Sequence, residues 1–543
     1  MKSPATGLTG LPTEILVLIF SCLPVPDLLA CKAVNQSIYT IISDCVSLQY
    51  KTELHKACAL DNEKCALSYS EKLSMLQKRE EAWSNCRPTF HRVVPLNFTP
   101  GSVYDFSSAV YLLGDHTRLQ LHSLRLPRQA DDVPQWSLFP SDDHRHIVDF
   151  GINLHEHDLI AVVTAELCVQ PTSSTPMLSI DLSLRQFSTG HHHPLAKLPS
   201  IHVTVSELRY GSPSINLEIV GKYLALVTTF FRNTNSKCIV TVYEWQTGRV
   251  VMDINGNPES YSGVVFVSED IILLPNTETR ALELWKIPDS YEDPPSAPLR
   301  QLALPRLMPH NVLRFISCRR EPNPTGVNSV HRDSDRPFHY NPLDSIVLLH
   351  LRVNGINLSS LFTIFVHRRS LLNLLPPHAS FVDIDIEKPV PWSEWAPPIT
   401  FCIDLGGGVP SRWITTTCGQ RFVVLPNPTP DDSVEPEINE DDFRRKPRTI
   451  VVFDFNPHNL RQVERELEED PDAKTTKVAS RERRVMEGQE IFAEDIVSCL
   501  PYVAVAMTQA YRLDGVLMDE DRILGLQTDF EGHIKYVEVF HFG

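Results

Sequence analysis

A hydrolytic metal centre needs several histidine, cysteine or carboxylate side chains converging on one point, and two stretches of this 543-residue sequence invite that search. In His191-His192-His193 the neighbours would point to opposite faces of a strand, and on a turn they seldom converge, so the run reads as a structural turn. His155-Glu156-His157 can place two histidines on one strand face, but no third ligand accompanies them. Gly406-Gly407-Gly408 lacks the G-x-x-x-x-G-K-[ST] pattern and the following helix of a phosphate loop, and reads as a tight turn. No G-x-S-x-G nucleophile elbow occurs. The twelve cysteines (Cys22, Cys31, Cys45, Cys58, Cys65, Cys86, Cys168, Cys238, Cys318, Cys402, Cys418 and Cys499) include no C-x-x-C pair, a reducing-compartment pattern rather than a zinc or disulfide framework. No catalytic residue, metal or cofactor is expected, and the chain reads as a non-enzyme.

The chemistry with the clearest spacing is apolar. Pro12 suits the start of a helix, Glu14 lies in its first turn and Pro24 closes it. Within it Ile15, Leu16, Ile19, Phe20 and Leu23 form one wide stripe, broadened by Val17 and Leu18. Pro26 and Asp27 open a second helix whose apolar side is Leu28, Leu29, Cys31 and Val34, and Asn35 can cap a third carrying Ile38, Ile41 and Ile42. Three short helices cannot bury all of this among themselves. Leaving half a dozen large side chains in water would cost on the order of 10 kcal/mol, so a dedicated partner surface is expected.

The pattern Leu11-Pro12-x-Glu14-Ile15-Leu16-x-x-Ile19-Phe20-x-x-Leu23, followed by Asp27-Leu28-Leu29-x-Cys31-x-x-Val34, resembles the F-box. The third helix departs from many F-boxes, reading Asn35-Gln36-Ser37-Ile38-Tyr39 where a cysteine, basic residues and an aromatic are common. The resemblance implies a small helical module that docks on a Skp-type adaptor and, through it, a cullin-RING ubiquitin ligase. The adaptor-binding residues it implies are Leu11, Pro12, Glu14, Ile15, Leu16, Ile19, Phe20, Leu23, Leu28 and Leu29. Further on, Leu48–Leu54 and Arg79–Trp83 resemble the helical linker of a large group of fungal F-box proteins.

Composition narrows the partners. Fifty lysines and arginines against 67 acids give a net charge of −17, which disfavours nucleic acid and anionic membrane and favours protein partners. The run from Ile15 to Leu23 is amphipathic, has Glu14 beside it and lacks a small-x-small cleavage site, so it does not read as a secretory signal. No stretch approaches the ~18 apolar residues of a membrane span. A soluble chain of the cytoplasm, the nucleus or both is expected.

The expected organisation is an α+β multidomain chain: an F-box at 1–45, a helical linker at 46–87 and a large all-β body at 88–543. Residues 46–60 read as a helix, and Ser68 with Glu71 as a capping box opening another that carries Leu73, Leu76 and Trp83. Past Pro88, short segments rich in Val, Ile, Leu and aromatics alternate with Asn, Asp, Gly and Pro, the mark of antiparallel strands.

Their rhythm suggests a β-propeller of about seven blades, near 90–126, 145–199, 213–256, 262–304, 311–375, 399–463 and 489–543. A β-sandwich is the competing architecture. Tyr243-Glu244-Trp245 and Leu284-Trp285-Lys286 resemble the tryptophan strand of WD-type blades, without the Gly-His and Trp-Asp signatures. Polar, proline-rich insertions at 288–298, 319–342, 376–398, 426–447 and 461–489 read as surface loops, including the acidic 431–442 and the basic Arg444-Arg445-Lys446 and Arg481–Arg484 clusters. The expected function is the substrate receptor of an SCF-type ligase, with an unidentified protein as substrate. An interaction scaffold outside ubiquitination is the alternative, and a propeller hydrolase a third reading.

Overall fold

Helix formation at the N-terminus follows the capping chemistry. Pro12 occupies the N-cap of α1 (Thr13–Cys22), and Pro26 lies in the first turn of α2 (Val25–Lys32). The Asn35 side chain accepts from the Ile38 N–H at 2.9 Å to start α3 (Gln36–Asp44). Leu16, Phe20, Leu28, Ile38, Ile42 and Leu48 close one small core between these helices and α4 (Val46–Lys56). α4 stops short of the expected residue 60, because Cys58 turns left-handed (φ 52°) and Ala59–Asp61 leaves as a strand paired with Phe338–Tyr340. α5 (Tyr69–Ser84) begins with the full capping box of Ser68 and Glu71. The structure, a computed structural model, describes residues 8–543 apart from 108, 142, 169–174, 231–237, 289–296, 327–334, 356–358, 377–387, 407–412, 427–445, 470–475 and 489.

From Phe90 onward the described residues form six four-stranded sheets and one five-stranded sheet, all antiparallel, with one small strand pair beside them in addition to that made with Ala59–Asp61. Blade I holds Pro100–Ser107, Val110–Asp115, Leu121–Arg125 and Trp136–Leu138; blade II runs from His146–Asn153 to Ser200–Glu207; blade III from Ser214–Val220 to Arg249–Gly256. Blade IV spans Val265–Ser268 to Arg300–Ala303, and blade V spans Val312–Arg319 to Thr400–Asp404. Blade VI begins at Thr417–Cys418, ends at Tyr502–Tyr511 and carries Lys477–Ser480 as a fifth, outermost strand. Blade VII combines Gly515–Met518, Arg522–Thr528 and Ile534–His541 with Phe90–Pro95 from the other end of the body.

The blades close a ring because an apolar core lies between every consecutive pair. Seven clusters join I to II, II to III and so on round to VII against I, where Leu517, Leu524 and Val537 meet Tyr111 and Leu124. Covered on both faces, central strands such as Tyr223–Thr229 are buried throughout and read as unbroken apolar runs, whereas the outer Trp136–Leu138 is largely exposed. The body is the expected seven-bladed propeller, not a sandwich.

The blade boundaries differ from the sequence reading. Thr400–Asp404 completes blade V, Tyr502–Tyr511 completes blade VI, and Phe90–Pro95 completes the last blade rather than opening the first. Long insertions separate the outer strands of V and VI from their sheets, so proximity in sequence assigned them to the following blade. One insertion also contains a helix, Pro457–Glu469, whose Leu460 and Val463 are buried against blade VI, where only a polar loop was expected.

α5 is built into the ring. Trp83 is 2% exposed, stacks on Phe542 at 4.0 Å, donates its indole N–H to the Glu520 carbonyl at 3.2 Å and shares a core with Val423, Val452 and Phe540. Trp83→Ala should therefore cost the ring about 3–5 kcal/mol. An unchanged urea midpoint would contradict this joint.

Candidate functional site

The helical module presents two neighbouring stripes, one outward and one inward. Leu11, Ile15, Leu18 and Ile19, at i, i+4, i+7 and i+8, are 37–62% exposed, while Leu16 and Phe20 are 2% and 1% exposed in the module's core. Of the residues implied for adaptor binding, Leu11, Pro12, Glu14, Ile15, Ile19 and Leu29 lie on the surface and Leu23 is half-buried. Leu16, Phe20 and Leu28 face inward, where they hold the outer stripe in place. Val34 and Tyr39 extend the exposed apolar surface, and Lys32 lies over the Tyr39 ring at 4.8 Å. In the sequence Tyr39 is a departure from the motif, and its i+5 offset from Val34 gives no stripe to follow. Lys51 of α4 donates to the last carbonyls of α1, Ser21 and Leu23, each at 2.6 Å, fixing the docking helix to the linker.

From there the linker is clamped to one face of the ring. Successive turns of an antiparallel blade alternate between its two ends, and α5 meets the ends that join first to second strands: Arg421 in blade VI and Glu520–Asp521 in blade VII. Arg79, 1% exposed, lies between the rings of Phe338 and Tyr340 at 4.6 and 4.8 Å. Glu80 pairs with Arg421 at 2.5 Å, and Arg421 reaches Asp454 at 3.2 Å and the Tyr340 hydroxyl. Burial alone would raise Glu80, but Arg421 and Arg79 outweigh it and hold the carboxyl below its usual range. The same balance, with Arg336, Arg522 and Arg79 opposing burial, holds Asp521 well below its usual range.

Inside the ring, the first strands of blades I, II, III, V and VI surround a polar cavity of about 60 Å³. Asp105, Asp149, Glu218 and Glu321 line it with Arg319 and Arg320. Glu218 accepts from Arg319 at 3.3 Å and Asn323 at 2.8 Å. Burial pushes the Asp149 carboxyl up to about 7 and that of Asp105 up to about 6, against the amide N–H groups and the Arg319 charge that oppose it. A carboxyl raised on folding stabilises the fold at low pH, and that contribution is lost as pH rises from about 4 through 7. Asp149→Asn, which keeps the acceptor for the Phe150 N–H, should then raise the melting temperature over the parent by about 1–2 °C more at pH 8 than at pH 4. A difference that is the same at both pH values would contradict this.

The residues first searched for catalysis are structural in their surroundings. The His191–His193 run lies on the turn after Met177–Gln186, with His193 bonded to the His157 carbonyl at 2.9 Å and edge-on to Trp245. Glu156 accepts from the Gly221 and Gly326 N–H groups at 3.1 and 2.7 Å, tying blades II and III to the connection between the first two strands of blade V. Gly406 takes φ +77° and donates to Asp404 at 2.8 Å; Gly407 and Gly408, the acidic 431–442 stretch and Arg444-Arg445 lie outside the described residues. Among the described residues one grouping, Asp529, Glu531 and His533, has the proximity of metal ligands. It sits on a partly exposed turn where Lys535 already pairs with Asp529 at 3.2 Å.

No curated protein matches the chain. Among solved structures it is similar to the WD40 domain of SCAP from fission yeast (9% identity, 83% of this chain and 98% of that one, TM-score 0.36). It is also similar to the C-terminal WD40 domain of Sif2 (9%, 83% and 98%, TM-score 0.31) and to Sqt1 from Chaetomium thermophilum (10%, 81% and 81%, TM-score 0.28). At such scores the assignment of a propeller rests on the seven sheets and the cores between them. A family model described as F-box-like matches residues 8–51, so the chain carries an F-box-like domain ahead of a seven-bladed β-propeller.

Proposed function

We propose that the chain is the substrate-recognition subunit of a cullin-RING, SCF-type ubiquitin ligase. The F-box-like domain docks on a Skp-type adaptor, and the ring holds a target protein. The observation that carries this reading is the exposed stripe of Leu11, Ile15, Leu18 and Ile19, held outward by a core of its own on a domain clamped to the ring. Such a stripe fits an apolar partner groove.

The chain's own part is positional. No side chain here needs to act on ubiquitin; the ligase does the transfer, and the receptor raises the effective concentration of a target lysine near the charged carrier. The clamp of Trp83, Arg79 and Glu80 suits this work, because a loose joint would spread the target over a larger volume. The consequence for the target is ubiquitination followed by proteasomal degradation, in the cytoplasm, the nucleus or both. No helix among the described residues is long and apolar enough to cross a membrane. Affinity purification of the full chain from cells, with peptide identification, tests the reading. The adaptor and a cullin should co-purify with the parent and not with Ile15→Asp/Ile19→Asp. A parent chain that brings down target proteins without either favours a scaffold acting outside ubiquitination.

A further inference from the structure

Two adjoining hollows lie within the ring, and Ile414 lines both. The linker-side end is crossed by the connection between the first two strands of blade V, where Gly419 donates to the Glu321 carbonyl and Gly326 to Glu156. Approach is therefore by way of the second hollow, whose Leu361, Leu405 and Gly515 lie at the opposite ends of their strands.

The first hollow is the polar channel. Its four carboxyl groups face two guanidiniums, and burial pushes all four carboxyls up from their usual range. Glu218 is satisfied by Arg319 and Asn323, and Asp105 by the N–H groups of Phe106 and Ile152. Among the described residues the Glu321 carboxylate accepts no hydrogen bond, and Asp149 accepts one, from Phe150. Arg320 is 2% exposed, yet its Nε and Nη1 find no acceptor. The second hollow, also of about 60 Å³, is mainly apolar, walled by Leu361, Leu405, Trp413, Phe422 and Val424. Thr416 within it is 8% exposed with its hydroxyl unpartnered.

Resting on the receptor reading above, we infer that the two hollows form one target-binding site for a peptide segment with a lysine or arginine within two residues of a bulky apolar side chain. The basic side chain supplies the hydrogen-bond donors that the Asp149 and Glu321 carboxyls lack, and the carbonyls of the peptide offer the acceptors that Arg320 lacks. The apolar side chain fills the cleft beside Trp413. A phosphorylated or acidic segment offers no donor to the Asp149 and Glu321 carboxyls and brings its charge beside four acidic groups, so it is rejected.

The test passes a random pool of terminally blocked decapeptides over the immobilised full-length chain and sequences what is retained. Retained peptides should be enriched about fivefold in Lys or Arg close to Leu, Phe, Trp or Met, reflecting one charge-assisted contact beside one apolar one. Asp149→Asn/Glu321→Gln should abolish the basic enrichment and keep the apolar one. Gly515→Ala, whose Cβ would lie 2.3 Å from the Trp413 ring, should do the reverse; if it fails to fold, Leu405→Ser is read in its place. Retention of nothing, enrichment of acidic or phosphorylated residues, or basic enrichment unchanged by the double substitution overturns the inference. Co-purification of the adaptor is scored separately. A chain that selects basic peptides without binding adaptor keeps this inference and loses the receptor reading, and the opposite pair of results does the reverse.

Discussion

A chain lacking Lys535–Gly543 does not form the ring. Ile534–His541 is the strand through which the two ends of the body meet, paired on one side with Arg522–Thr528 and on the other with Phe90–Pro95. Its Val537, Val539 and Phe540, and Phe542 just beyond, are each 0% exposed. At roughly 1.5–3 kcal/mol per side chain their loss removes about 6–12 kcal/mol, which matches the whole stability of an ordinary domain. The deletion also strips Trp83 of the ring it stacks on, loosening the F-box-like domain together with the propeller. The truncated protein should show no cooperative melting transition. Melting within about 2 °C of the parent would contradict closure through this strand.

The helical start was legible because its signals are local. Pro12, Asn35 and the Ser68–Glu71 box act within four residues of themselves, and each does what its type and spacing imply. The division of the stripe into inner Leu16 and Phe20 and outer Ile15 and Ile19 was not legible, since all four are large, apolar and adjacent on one wide arc. It depends on where α3 and α4 pack. Blade number could be read from the recurrence of runs such as Tyr223–Thr229 and Cys238–Glu244, but blade phase could not. Tyr502–Tyr511 pairs with Arg448–Asp454 across an insertion holding a helix and three strands, and nothing in the intervening residues marks that return. The channel was missed for a related reason. Asp105, Asp149, Glu218 and Arg319 come from four blades and share no spacing, so closure of the ring alone brings them together.

Replacing Ile15 and Ile19 by aspartate should abolish adaptor binding without disturbing the ring. Both side chains lie on the surface, 43% and 37% exposed, so neither substitution opens a cavity in the core of Leu16, Phe20, Leu28, Ile38, Ile42 and Leu48. Each removes a side chain worth about 1.5–3 kcal/mol on burial and places a charge in an apolar interface, so the pair should weaken binding by at least about a hundredfold. Titration against purified adaptor reads the loss, and the melting curve should overlay that of the parent. Binding within about threefold of the parent, well under the ~1.4 kcal/mol that a factor of ten represents, would place the docking surface elsewhere.

The claim that the two halves form a receptor is tested most directly by the lifetime of its captured partners. In cells overproducing the full chain with Ile15→Asp/Ile19→Asp, the ring still occupies the recognition surface of the target while the ligase is absent. Proteins that co-purify with this chain should persist longer than in cells overproducing the parent, and their ubiquitinated forms should decline. If the substituted chain retains the same partners and every one of them turns over at the rate seen with the parent, the receptor account is contradicted.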